Sequence, residues 1–270
     1  PDTVTTVVAR AFYNCSKLFR LGYPKSWVSV PRYSSSYLPE SPFAGCTNLA
    51  YITVPEGVTQ IPSNAFRNQS GIEKVVFPES LTYINSGAFI NCSTLKTIEL
   101  PSQITTILSD TFRDCTALKS VKFNEGLKSI GSYAFYNCKN LEFFEAPTTL
   151  QTISQYAFAE CIGLRMLYLN DNLNTLEAYS FAGCDGLLSV ILNNNLTTLS
   201  NKTFTDCANL TAAEIPKSVS SYGVDCFYNC PKLIIYCYTD SAAHNVLKNS
   251  NYSYYLLDSH THTYEKYIET

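Results

Sequence analysis

A chain of 270 residues with 19 basic and 22 acidic side chains, net charge −3, has no basic field to draw it to nucleic acid or to an anionic membrane. Apolar residues make up 46%, enough for a continuous core, yet no apolar run approaches the roughly 18 residues that crossing a bilayer requires. Eleven cysteines is an odd number for a closed disulfide framework, and their spacing is set by something else.

That something is a period. Phe43, Phe66, Phe89, Phe112, Phe135, Phe158, Phe181, Phe204 and Phe227 stand 23 residues apart without exception. A cysteine follows each by three positions, from Cys46 through Cys92 and onward to Cys230, with Gln69 the one departure. An earlier unit, Phe12 with Cys15, precedes Phe43 by more than one period, so a longer excursion lies over 25–42. A fixed repeat of this length marks a solenoid, in which each unit is too small to fold alone and buries its core against its neighbours. Pro1 falls nine positions into a unit whose strand is missing, so the chain is expected to begin inside the array or after an unusual N-terminal cap.

Taken from its cysteine, each unit reads the same way. Apolar residues at plus six and plus eight, such as Ile98 and Leu100, alternate with Thr97 and Glu99, the period-two mark of a strand with one buried face. Proline often follows at plus nine, as at Pro55, Pro78, Pro101 and Pro147, and ends the strand because it has no N–H for a ladder; Asn124, Asn170 and Asn193 replace it elsewhere. A second short alternation comes next, "ITTI" at 104–107 and "LTTL" at 196–199, and predicts a second ladder of short strands. The Ala-Phe segment is then read as a helical turn whose phenylalanine fills the core. Asn, Asp or Gly just before the cysteine, as at Asn91, Asp114 and Gly183, suits a left-handed residue that turns the chain into the next coil.

The strand "LKTIELP" followed by "AFxxC" resembles the BspA-like leucine-rich repeats of bacterial surface proteins, over roughly residues 1–239 in about ten units. The resemblance implies an α/β repeat solenoid. Its expected parts are a right-handed leucine-rich-repeat coil with a parallel concave β-sheet, a second short-strand ladder, short helical turns and a C-terminal cap. Residues 240–258 resemble the cap, with a short helix over 241–248 and a strand near 252–257. Residues 259–270, with His260 and His262, resemble a linker or the start of a following module. The family likeness implies a secreted or surface-attached bacterial protein, expected as a monomer, that binds a protein or glycan.

The cysteine column is read as a ladder of reduced, buried thiols, with disulfides or a metal as the alternatives. Cys237 falls on the outward side of the last strand by simple counting, a surface thiol unless the cap covers it. No histidine lies in the repeats, and no cofactor motif or phosphate-binding loop is present, so an enzyme is not expected. On the outward positions of the main strands, Phe143, Met166, Tyr168 and Ile191 fall on adjacent coils, with Lys122 and Glu145 at their rim as a cross-strand pair. Exposed aromatic residues and methionine in one patch are what a partner interface uses, although strands carry such residues on either face for packing alone. The excursion at 25–42, with Trp27, Tyr33 and Tyr37, is either a second binding element or a cover for the N-terminal edge. Two roles fit: an adhesion module that binds on the concave face, or a spacer within a larger surface protein.

Overall fold

Alternation over a few residues in each unit gives strands that are short and all parallel, because every unit runs in the same direction one period after the last. The computed structural model describes residues 2–31 and 40–258. The main strands are β1 (Tyr51–Thr53), β3 (Lys74–Val76), β5 (Thr97–Glu99), β7 (Ser120–Lys122), β9 (Phe143–Glu145), β11 (Met166–Tyr168), β13 (Ser189–Ile191), β15 (Ala212–Glu214) and β17 (Ile234–Cys237). Between them lie the two-residue strands β2 (Gln60–Ile61), β4 (Tyr83–Ile84), β6 (Thr106–Ile107), β8 (Ser129–Ile130), β10 (Thr152–Ile153), β12 (Thr175–Leu176), β14 (Thr198–Leu199) and β16 (Ser221–Tyr222). The chain is therefore a parallel β-solenoid with nine main-strand coils among the described residues.

Register follows the period. Tyr51 pairs with Lys74, Thr97 with Ser120, Met166 with Phe143 and Ser189 with Ala212, each exchange joining positions one period apart. The second ladder keeps the same offset, with Ile107 opposite Ile130 and Ile153 opposite Leu176. In both ladders the apolar residue points inward and the polar one outward: the middle residue of each three-residue strand is buried.

The phenylalanines form one column through the core. Each ring from Phe12 to Phe227 lies nearly parallel to the next, with centroids 5.2–6.0 Å apart. Phe12 ends the column half-exposed, and Trp27 packs against the column's side, edge-on to Phe43 and Phe66 and 1% exposed. Its indole N–H donates to the Ser29 carbonyl at 2.8 Å. Trp27 is thus a core residue and not an exposed binding element; Tyr33 and Tyr37 lie outside the described residues.

The Ala-Phe segments are not helical, contrary to expectation. Two residues in the left-handed region flank each phenylalanine from Phe66 to Phe227, at minus two and plus two: Asp110 (φ 59°) and Asp114 (φ 60°) around Phe112, Tyr156 (φ 57°) and Glu160 (φ 62°) around Phe158. A helix cannot pass through two such residues in five. Alternate N–H groups of the segment reach forward to the next coil instead: Phe112 donates to Ala134 at 2.8 Å and Asp114 to Tyr136 at 2.8 Å. The others close local turns, as Cys115 does on Phe112 at 3.2 Å. The turns thus add a third line of coil-to-coil hydrogen bonds to the two strand ladders.

Asn at plus nine replaces proline by a different device. The Asn124 amide donates to the carbonyls of Pro101 and Ile104 at 2.7 and 3.0 Å, while its side-chain oxygen accepts from Gly126 N–H at 2.7 Å. Asn170 repeats this on Pro147 and Leu150. Proline stops the strand by lacking a donor; asparagine ties the same corner to the coil before it.

At the C-terminal end, helix α1 (Ala242–Leu247) packs against β16, and β18 (Ser253–Leu256) pairs in parallel with β17. Ser241 caps the helix, its hydroxyl accepting from His244 N–H at 3.1 Å. Cys237 is fully buried, which corrects the outward placement. Ala212 pairs with Ile234, one position short of the period, so the last coil is one residue shorter than the others and Cys237 moves to an inward position. Residues 259–270, His260 and His262 among them, lie outside the described residues.

Candidate functional site

The pleat that buries Phe144 and Leu167 turns their neighbours outward. Phe143, Met166, Tyr168 and Ile191 are 38–66% exposed, on three successive main strands. Phe143 sits opposite Met166 and Glu145 opposite Tyr168. The Tyr168 hydroxyl reaches the Met166 sulfur at 3.6 Å, so these two side chains lie across the same surface. Ile191 continues the patch on β13, the strand that follows β11 in the stack.

Lys122 does not pair with Glu145 as expected. Its ammonium donates to the Glu99 carboxylate one coil earlier. That hydrogen bond, and behind it the opposite charge, holds the Glu99 carboxyl below and the Lys122 ammonium above their ordinary values. Both side chains are largely exposed, so the pair contributes little to stability. The choice of Glu99 leaves the Glu145 carboxylate without a partner among the described residues.

The patch borders a groove of about 870 Å³ over β3, β5, β7 and β9. Phe143, Lys122 and Glu145 line it; Met166, Tyr168 and Ile191 lie past its C-terminal end. The six predicted residues therefore fall into two contiguous parts of one surface, three in the groove and three on the exposed strip beyond it.

Two charged groove residues escaped the sequence reading, Glu79 and Glu125; Lys74 and Glu99, which the strand alternation turns outward, line the groove with them. Glu79 and Glu125 hold equivalent places, one position past the proline or asparagine that ends the main strand. The Glu79 carboxylate accepts from the Ser102 N–H and hydroxyl at 3.4 and 3.1 Å. Glu125 accepts from the Thr148 N–H and hydroxyl at 2.9 and 2.7 Å. In each it is Oε2 that binds the next coil, and no hydrogen bond to Oε1 is present among the described residues. The recurrence of glutamate at 56, 79 and 125 was the available signal.

The buried thiols offer no reactive group. Cys92, Cys115, Cys138, Cys161 and Cys184 are 0% exposed, and burial pushes their thiols up, Cys161 to about 12. All eleven cysteines are free, and Cys15 alone is exposed. No helix among the described residues is long and apolar enough to cross a membrane.

Comparison with known proteins agrees with this geometry. The model for the BspA type leucine rich repeat region matches in six copies over residues 36–165 and 128–255. No match is found among curated proteins. Among solved structures, a leucine-rich repeat protein of T. pallidum is similar at 27% identity and a TM-score of 0.57, over 67% of this chain and 84% of that one. The pneumococcal vaccine antigen PcpA shares the fold at 16% identity and a TM-score of 0.53, over 95% and 78%. A leucine-rich repeat protein from Bacteroides ovatus follows at 22% identity and a TM-score of 0.48, over 95% and 82%. A period held through nine phenylalanines, a parallel solenoid and a family model spanning most of the chain lead to one conclusion: the chain belongs to the BspA-type leucine-rich repeat family.

Proposed function

We propose that this array is a binding module of a bacterial surface or secreted protein, acting as a monomer, and that its concave main-strand face takes a protein or glycan partner. The supporting observation is the strip formed by Phe143, Met166, Tyr168 and Ile191. These are large apolar side chains on an outward face with no covering element among the described residues, continuous with a groove of about 870 Å³. Residues of this kind, clustered beside charged neighbours, form the centre and rim of protein interfaces. Residues 240–258 serve in this reading as the cap of the array, covering the last coil so that the binding face stays stacked. The module has no catalytic role; its work is recognition.

The test is a binding screen of the purified protein against host matrix proteins, mucins, glycan arrays and bacterial surfaces, with a Phe143→Ser/Tyr168→Ser double variant beside it. Saturable binding that weakens at least tenfold in the variant is the expected result. A ligand bound equally by both proteins would place the interface elsewhere. Binding to none would favour a spacer, a role supported by the three lines of coil-to-coil hydrogen bonds that stiffen the solenoid.

A further inference from the structure

The groove beside the apolar strip has a chemistry of its own. Its charged lining consists of two lysines, Lys74 and Lys122, and four glutamates, Glu79, Glu99, Glu125 and Glu145, a net charge of −2. Lys122 is spent on Glu99. Glu145 has no partner among the described residues and stands on β9, at the end of the groove that meets Phe143. Lys74 stands on β3 at the other end, on the same coil as Glu79.

Glu79 and Glu125 are the fixed points. The N–H and hydroxyl of the following coil hold one oxygen of each carboxylate in the same pose, and the second oxygen accepts no hydrogen bond among the described residues. They lie two coils apart, which at the strand spacing of a sheet is about 9.6 Å along the solenoid axis. Three residues of a polyproline II segment make one turn of about 9.3 Å and return the side chain to the same face, while residues three apart on an extended strand point to opposite faces. A polyproline II chain laid along the axis therefore brings two side chains three residues apart opposite the two carboxylates, whereas side chains two residues apart fall out of step.

Resting on the reading that this face binds a partner, we propose that the groove takes an extended basic polypeptide segment. The segment runs along the solenoid axis in polyproline II form with Lys or Arg side chains three residues apart on Glu79 and Glu125, and Glu145 and Phe143 border its path one coil further on. Fixed carboxylates lose no side-chain freedom on binding, and Phe143 supplies a ring for a Lys or Arg stem. A neutral glycan would leave the paired carboxylates without counter-charges.

The probe is a synthetic peptide, (Lys-Pro-Pro)5, titrated into the whole protein at low salt. It is compared with a peptide of equal charge and length whose lysines are two apart, and with (Gln-Pro-Pro)5. The expected result is at least tenfold tighter binding of the three-spaced basic peptide, weakening as salt is raised. A Glu79→Gln/Glu125→Gln variant, which keeps the acceptor oxygens for Ser102 and Thr148, is expected to lose that preference while melting at the same temperature. Equal affinity for the two spacings, an unaffected variant, or absence of peptide binding would each overturn the proposal. A partner from the screen that the Phe143→Ser/Tyr168→Ser variant loses, alongside peptides that bind neither protein, would leave the binding face standing and remove the basic segment alone. A neutral oligosaccharide held by the wild type and by the Gln variant alike would assign the groove to a glycan.

Discussion

In nine units the residue three past the core phenylalanine is cysteine, and in eight of them its thiol donates to the carbonyl of the phenylalanine one coil back, at 3.1–3.3 Å. The column is thus a line of weak donors as well as of small apolar groups. Gln69 breaks it. Its amide donates to the Cys46 carbonyl at 2.5 Å, but its side-chain oxygen is buried with no partner. An unsatisfied buried acceptor costs about 1–3 kcal/mol, more than a thiol hydrogen bond returns. Gln69→Cys is therefore expected to raise stability by about 1 kcal/mol, read as a higher denaturation midpoint; a lower midpoint would mean that the amide fills space the thiol leaves empty.

The same thiols set a pH dependence. Burial raises the folded-state pKa of Cys92, Cys115, Cys138, Cys161 and Cys184, that of Cys161 from 9.0 to about 12. It raises that of Cys226, outside the column, also to about 12, while contact with Cys207 lowers that of Cys230. Above pH 9 the unfolded chain loses thiol protons that the folded chain keeps, so it binds fewer protons and stability falls as pH rises. Each such group removes about 1.4 kcal/mol per pH unit between its two values. Buried Tyr23 and Tyr222 act in the same direction. Denaturant midpoints are expected to be level up to pH 8 and to drop steeply between pH 9 and 11. A flat profile there would show that the column is reached by solvent.

At the scale of elements, what was legible was strand position and burial. Ile98, Val121 and Phe144 are buried where the alternation puts them, because a two-residue side-chain period leaves no other choice of face. The helical turns failed for a reason that local sequence partly hides. Asn, Asp and Gly before the cysteine advertise one left-handed residue, but the second, at minus two, is Tyr133, Tyr156 and Tyr179 in three successive coils. Tyrosine is an unusual residue there. Its cost is offset by stacking: Tyr133 and Tyr156 lie 4.8 Å apart, Tyr156 and Tyr179 4.6 Å, with Lys202 over the far ring and Arg113 over the near one. The one α-helix among the described residues, α1, depends on a local signal, the Ser241 cap. Ser241→Ala is expected to cost about 1 kcal/mol. It should appear as faster amide exchange in residues 242–247 with the repeat array unchanged; equal exchange rates would show that packing on β16 alone holds the helix.

For the whole molecule, the phenylalanine column is the long-range connection, since each coil otherwise touches only its neighbours. Phe135 stacks on Phe112 and Phe158 at 5.5 and 5.2 Å and is fully buried. Phe135→Ala is expected to cost about 3–5 kcal/mol. In a nearest-neighbour array the loss should also uncouple the two halves, so that unfolding spreads into two transitions by calorimetry. A single transition at lower temperature would mean that the three hydrogen-bond ladders carry cooperativity across the gap.

The period, the parallel order, the buried faces, the core column and the exposed strip at Phe143, Met166, Tyr168 and Ile191 were all determined by the sequence alone. Each depends only on a residue's place in its unit and on the same place one period later. Tertiary structure decided the rest. Lys122 turns to Glu99 and not Glu145, Glu79 and Glu125 line one groove, Trp27 packs edge-on against the core column, and a coil one residue short buries Cys237. These outcomes join residues from different coils and loops, where the stacking of the coils and the neighbour within reach, rather than the repeat, select the contact.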